Sequence, residues 1–304
     1  MKVLILGNSD LVKRKIVPAI IKIDSISSYD ISTTSNKKLN KNKLAKVYKD
    51  YSLSILNSDA DTVYVSLPNN LHYKFSKLAI QSGKNVIVDK PAIVRKDQLQ
   101  KLYDLAKEKN VALSMSSVFN FHKGWKKFKD VSYKKDIKGV LSITFTIPKL
   151  DSNNIRMSSK LGGGALHDMG IYCSNAGYLF WETSLKSISI NKFIKNELVI
   201  GFTVLANYGN GKELIGNFGF ERNYKNCISF YGNDFETNYE RVFSPPPELI
   251  TKVAKISGNN KKEYKVGKDD TFKNYLEYFI KNINDKSKLR NEFYTLNKEY
   301  LNYL

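Results

Sequence analysis

Asp168 and Tyr172 stand four residues apart in a segment that opens on three glycines, Gly162-Gly163-Gly164-Ala165-Leu166-His167-Asp168-Met169-Gly170-Ile171-Tyr172. On a helix that spacing puts both side chains on one face. A carboxylate one turn before a phenol is a proton-handling pair. A run of glycines lets a backbone approach a ligand in dihedrals closed to other residues. Upstream, the apolar stretch Val86-Ile87-Val88 ends in Asp89-Lys90-Pro91. Together the two clusters point to an oxidoreductase. The Lys90-Pro91 bond is expected to be cis, because X-Pro is the only common site of cis peptides.

These residues need elements to hold them. Strands are expected at 2–6, 29–34, 62–67, 85–88 and 111–115, with helices at 10–23, 71–82 and 95–109. The Lys-rich stretch 37–56 reads as partly helical. Strands alternating with helices argue for a parallel, doubly wound sheet. The pattern changes near residue 120. After a helix at 121–133, strand-like runs dominate at 140–148, 185–193, 197–206, 213–220 and 226–231, with a helix inside 160–181. Alternation such as Ser187-Ile188-Ser189-Ile190 marks half-buried antiparallel strands. Residues 271–304 return to helix. The expected fold is α/β: residues 1–118 form a doubly wound parallel sheet, and 119–304 an α/β domain with a mostly antiparallel sheet. The C-terminal helix is free to pack back on the first domain.

A dinucleotide-binding turn wants Gly-x-Gly-x-x-Gly between the first strand and first helix. Here the match is Gly7-Asn8-Ser9-Asp10-Leu11-Val12. Only the first glycine survives, and Ser9 is small enough for a pyrophosphate to approach. NAD-specific sites place an acid at the tip of the second strand. This chain has Thr33-Thr34-Ser35-Asn36-Lys37-Lys38 there. Hydroxyls on Thr34 and Ser35 followed by Lys37 suit a 2′-phosphate, so NADP(H) is expected, with NAD(H) as the alternative.

Three elements together resemble the Gfo/Idh/MocA oxidoreductases, and the likeness covers nearly the whole chain. They are Ser66-Leu67-Pro68-Asn69-Asn70-Leu71-His72, Asp89-Lys90-Pro91 and the Gly162–Tyr172 segment. The resemblance implies an N-terminal Rossmann domain followed by a substrate domain whose open sheet face joins a homodimer or homotetramer. It also implies that Leu67, Pro68, Asn70, His72, Asp89 and Lys90 line the cofactor. This chain departs in carrying Asp89 where Glu is commoner, a reduced glycine fingerprint, and Tyr172 where several members carry His. It is similar to the Lys–Asp–Tyr subgroup.

Lys90 is the expected hydrogen-bond donor to the oxygen being oxidised or reduced. Tyr172 is the expected proton carrier, since a free phenol, with a pKa of about 10, works near neutral pH only beside a cation. Asp168 orients Lys90 or a substrate hydroxyl. Asn120 and Arg156 are expected to reach the substrate, Arg156 by holding a carboxylate or phosphate. Three separated histidines and two cysteines form no metal-ligand spacing, so no metal is expected.

The net charge of +20, from 49 basic and 29 acidic residues, raises the question of a nucleic-acid partner. The lysines are spread along the chain and no binding module appears, so none is expected. Val3–Leu6 is too short for a leader, and no apolar run approaches the roughly 20 residues of a membrane span. A reducing cytoplasm fits the two unpatterned cysteines. The reading is an oxidoreductase moving hydride to or from a carbinol carbon of a sugar, nucleotide-linked sugar or polyol. A catalytically inactive Rossmann-fold binding or regulatory protein is the competing class.

Overall fold

The computed structural model describes residues 1–35, 38–133 and 137–304. They form two compact units: Met1–Ser117 with Phe272–Lys298, and Val118–Thr271 with Glu299–Leu304.

The first unit is built on continuous apolar runs. β1 (Lys2–Leu6), β2 (Ser28–Ser32), β3 (Leu44–Tyr48), β4 (Thr62–Val65), β5 (Asn85–Val88) and β6 (Leu113–Met115) make a sheet in the order β3-β2-β1-β4-β5-β6. Every pairing is parallel. The central strands are buried on both faces, so Lys-Val-Leu-Ile-Leu and Thr-Val-Tyr-Val show no alternation. Helices α1 (Val17–Ile21), α2 (Tyr51–Asn57), α3 (Asn69–Gln81) and α4 (Lys96–Glu108) connect these strands. A π-helical turn, Val12–Ile16, precedes α1. Pro18, just inside α1, has no N–H to give a regular ladder there, and the widened turn absorbs the defect.

The stretch 37–56 is helical in part, as expected, and also holds the unanticipated strand β3. Among its described residues the helix is Tyr51–Asn57, capped by the Asp50 carboxylate accepting from Leu53 N at 2.7 Å. The preceding strand lies at the sheet edge, where Lys46 faces water and the apolar signal is lost.

The second unit carries the other sheet: β7 (Gly139–Thr146), β8 (Ser187–Lys195), β9 (Leu198–Gly209), β10 (Lys212–Gly219), β11 (Lys225–Tyr231), β12 (Glu236–Glu240), β13 (Thr251–Ser257) and β14 (Asn260–Val266). The order is β14-β13-β12-β11-β7-β10-β9-β8, antiparallel except between β7 and β10. Strands β12 to β14 extend the sheet beyond the expected runs. Helix α5 (Lys123–Ser132) packs on β12 and β13, and α6 (Ala165–Trp181) on β9 and β10. α6 is buried almost all round, so small residues face the sheet. A Cβ at Gly177 would fall 2.0 Å from the Tyr208 hydroxyl. The expected single terminal helix is two, α7 (Thr271–Asn282) and α8 (Lys286–Leu301). Asp285 ends the first and starts the second by accepting from Lys288 N at 3.1 Å.

Candidate active site

The carboxyl ends of the parallel strands carry the nucleotide-end residues. The strand order reverses between β1 and β4, where open α/β sheets bind ligands. Gly7 ends β1 with its N–H donating to Ser32 O at 2.8 Å. Its φ is +101°, and a Cβ there would lie 2.2 Å from Ser66 O. Gly7 is therefore required by the neighbouring strand end as well as by its own dihedral. Ser9 Oγ accepts from Val12 N at 3.2 Å and so caps the helical turn. Asn8 is buried, while Asp10 and Leu11 are exposed at the helix start.

At the end of β2, Thr33 Oγ1 accepts from Ser35 N at 3.0 Å. That leaves Thr34 exposed and Ser35 half-buried. Asp30 is fully buried earlier in the strand, where it takes Ser58 Oγ–H at 2.7 Å and pairs with Lys2 at 3.2 Å. The tip thus presents hydroxyls and no acid. Lys37, expected beside them, lies outside the described residues.

Two residues expected to line a cofactor are bonded within the protein. His72, in the first turn of α3, is 1% exposed. Its ring nitrogens lie 2.9 Å from Pro91 O and 2.7 Å from Leu67 O. Burial holds the imidazole pKa below its ordinary value against the pull of these carbonyls. Set between these two carbonyls, the buried ring bridges the two loops and, when neutral, donates to one carbonyl at a time. Asp89 is also buried and accepts from Tyr64 OH at 3.0 Å, Ser66 Oγ at 2.5 Å and Ser116 Oγ at 2.9 Å. It ties the ends of β4, β5 and β6. Burial, reinforced by the Asp89 charge, pushes the Tyr64 phenol well above its ordinary pKa. Lys90 follows, half-buried, and the Lys90-Pro91 peptide is cis. Leu67 is buried, Pro68 half-buried and Asn70 exposed, all around the start of α3.

In the second unit the glycines adopt the dihedrals expected of them and also admit a neighbouring stretch of backbone. Gly162 (φ +77°) and Gly164 (φ +102°) occupy left-handed conformations, and a Cβ on Gly163 would meet Arg156 O at 2.5 Å. The glycine run lies against residues 156–158: Gly164 N donates to Arg156 O and Gly163 N to Ser158 O, both at 2.8 Å. The Asn154 side chain accepts from Arg156 N at 3.1 Å. Arg156 is thus held by both its backbone groups, and its Nε lies 3.3 Å from Asp168 Oδ2. Asp168 sits in the first turn of α6, where a negative charge is favoured.

One turn on, Tyr172 is 7% exposed. Its ring packs against Phe119, Phe145 and Phe243, with centroids at 6.1, 5.6 and 4.8 Å. Its hydroxyl lies 3.2 Å from Ser244 Oγ. Ser244 was not anticipated. It lies 72 residues further along the chain, in a loop with no local signature. Asn120 stands in the turn Val118–Phe121 with its Oδ1 buried and unpartnered among the described residues. His167 bonds the Tyr300 hydroxyl at 2.8 Å. Among the described residues no three His, Cys, Asp or Glu side chains gather as a metal cage.

Known proteins resemble this chain in sequence and in fold. The chain is 26% identical over 256 residues to a dTDP-3,4-didehydro-2,6-dideoxy-α-D-glucose 3-reductase of Actinomadura kijaniata, spanning 81% of this chain and 76% of that one. It is 25% identical over 187 residues to an NADP(+) D-xylose 1-dehydrogenase of Haloferax volcanii, covering 59% and 57% of the two chains. The crystal structure of KijD10, a 3-ketoreductase from Actinomadura kijaniata in complex with NADP and TDP-benzene, superposes with a TM-score of 0.91 at 23% identity. That match covers 98% of this chain and 94% of the other. Residues 2–117 match the Gfo/Idh/MocA oxidoreductase family, with its NAD-binding Rossmann fold, which places that part of the chain in the family.

Proposed function

We propose that this protein is an NADP(H)-dependent oxidoreductase that moves a hydride to or from a carbinol carbon of a sugar, with a nucleotide-linked sugar as the favoured substrate. The observation that carries the reading is Tyr172. Its ring is locked among three phenylalanines, while its hydroxyl reaches an exposed serine. A core tyrosine has no need of that outlet; a proton carrier does.

The cofactor supplies the hydride chemistry when bound. Gly7, Asn8, Ser9, Asp10 and Leu11 would hold its pyrophosphate, and Leu67, Pro68 and Asn70 would flank it. Thr34 and Ser35 would take the 2′-phosphate, because the β2 tip offers hydroxyls and Asp30 is committed elsewhere. Lys90 donates to the substrate oxygen and stabilises charge on it. Tyr172 gives or takes that oxygen's proton. Asp168, anchored by Arg156, orients the hydroxyl, and the buried Asn120 Oδ1 accepts from the sugar. The outer guanidinium N–H groups of Arg156 read an anion on the substrate, such as a diphosphate. Relatives acting on dTDP-sugars favour the nucleotide-linked class; the D-xylose enzyme keeps free aldoses as the second class.

The open face of the second sheet supports assembly with a second copy. One row of paired residues crosses seven strands: Ser189, Leu205, Ile215, Ser142, Ser229, Asn238 and Ala254. None is charged, in a chain of net charge +20. Leu205 and Ile215 are 55% and 48% exposed. Among the described residues no helix is long and apolar enough to cross a membrane. Both cysteines are free, which suits a reducing cytoplasm, and cell fractionation reads that location.

The test is a substrate panel followed by nicotinamide absorbance: dTDP-linked keto sugars with NADPH, and free aldoses including D-xylose with NADP+. Turnover on a sugar is expected. NADPH binding without turnover on any of them would move the protein to the non-catalytic class.

A further inference from the structure

Ser244 occupies a conformation that non-glycine residues avoid, with φ at +54°. It also precedes Pro245, the first of three prolines. Residues in such conformations persist where their surroundings over-determine them, and they cluster at functional sites. Here the surroundings do so. Buried Asn226 clamps Phe243 from both sides: its Oδ1 accepts from Phe243 N at 3.0 Å and its Nδ2 donates to Phe243 O at 2.5 Å. Phe243 is itself fully buried against Tyr172. Pro245 is buried on the other side. Between two fixed neighbours, Ser244 is exposed and places its Oγ 3.2 Å from the Tyr172 hydroxyl.

We infer that Ser244 is the positioning residue of the Tyr172 phenol and its proton outlet to solvent. The inference rests on reading Tyr172 as the proton carrier and adds the group through which that carrier is recharged. In the oxidative direction the substrate O–H proton passes to the Tyr172 oxygen, while the carbinol C–H leaves as hydride, with its electron pair, to NADP+. Tyr172 then passes a proton to Ser244 Oγ as Ser244 gives its own to water. One proton reaches solvent per turnover, and the reductive direction reverses each transfer. On the same helix Asp168 lies one turn before Tyr172 and pairs with Arg156. The elements packed on the ring contribute phenylalanines.

The decisive variant is Ser244→Gly, which removes the hydroxyl while relieving the left-handed backbone. It is expected to melt at a higher temperature than the wild type and yet turn over about tenfold more slowly, the scale of one lost hydrogen bond to a charged group. KM for NADPH should stay unchanged, and the solvent deuterium isotope effect on kcat should rise. Ser244→Ala should match it in turnover without the gain in stability. Assays use a dTDP-linked 3-keto sugar with NADPH and D-xylose with NADP+. A readout independent of activity comes from protein labelled with 13C at tyrosine Cζ. The Tyr172 resonance, identified by its loss in Tyr172→Phe, should shift in Ser244→Gly. An unmoved resonance, or full turnover in Ser244→Gly beside an inactive Tyr172→Phe, overturns the inference and leaves the reading of Tyr172 standing. Full turnover in Tyr172→Phe removes the reading itself.

Discussion

Arg156 Nε lies 3.3 Å from Asp168 Oδ2, and the glycine run exists to let the backbone of Arg156 fold against it. Arg156→Ala should therefore raise KM for a nucleotide-linked sugar by roughly tenfold, the loss of one charge-assisted contact, and affect a free aldose less. Arg156→Lys should not restore it, since a point charge cannot make the same paired contact. Gly163→Ala should reproduce part of the defect and cost about 1–3 kcal/mol in stability, because its Cβ must push Arg156 O away. Steady-state kinetics with both substrates, paired with denaturant titration, checks this. Equal KM effects on charged and uncharged substrates would remove the anion role.

Tyr172→Phe should lower turnover by about 10²–10⁴-fold with little change in NADPH affinity. Lys90→Met should be at least as damaging, as it removes both the donor and the charge. Stopped-flow turnover with calorimetric cofactor binding separates the two effects. A Tyr172→Phe enzyme at full speed would leave Lys90 as the proton carrier.

Cofactor choice should rest on the end of β2. Ser35→Asp supplies the carboxylate that ribose hydroxyls prefer and a 2′-phosphate repels. NADPH should bind more tightly than NADH to the wild type, and the variant should reverse that order. Calorimetry reads both. Tighter NADH binding by the wild type contradicts the assignment.

Assembly should depend on the uncharged row. Leu205→Arg places charge within it, at its most exposed large apolar side chain, without touching the buried face of β9. Sedimentation should show a dimer or tetramer for the wild type and a smaller species for the variant, with the melting temperature of each unit little changed. A monomeric wild type would dismiss the open face as an interface.

Much of this was legible in the chain, for physical reasons. β1, β4 and β5 are buried on both faces, and continuous apolar runs betray such strands. Asp168 and Tyr172 share a helix face, so their spacing alone pairs them. β3 and β14 escaped because edge strands carry lysines on their open sides, which blurs the apolar signal. The family resemblance puts His72 and Asp89 at the cofactor. Their partners, two backbone carbonyls and three hydroxyls, come from distant segments that no local pattern reveals. Ser244 was invisible for the same reason. Its conformation depends on Asn226 and its purpose on Tyr172.

The bridge made by His72 has a consequence for how such an enzyme can be altered. Its ring joins the chain at Leu67 to the chain at Pro91, one residue past Lys90. Through Asp89 the same block reaches Ser66 and Ser116. A change that resets the 66–72 loop is therefore felt at the lysine, and the reverse. Grafting a new loop at 66–72 from a relative should succeed only when residues 89–91 and 116 travel with it. The block behaves as one inherited part, exchanged whole or left alone.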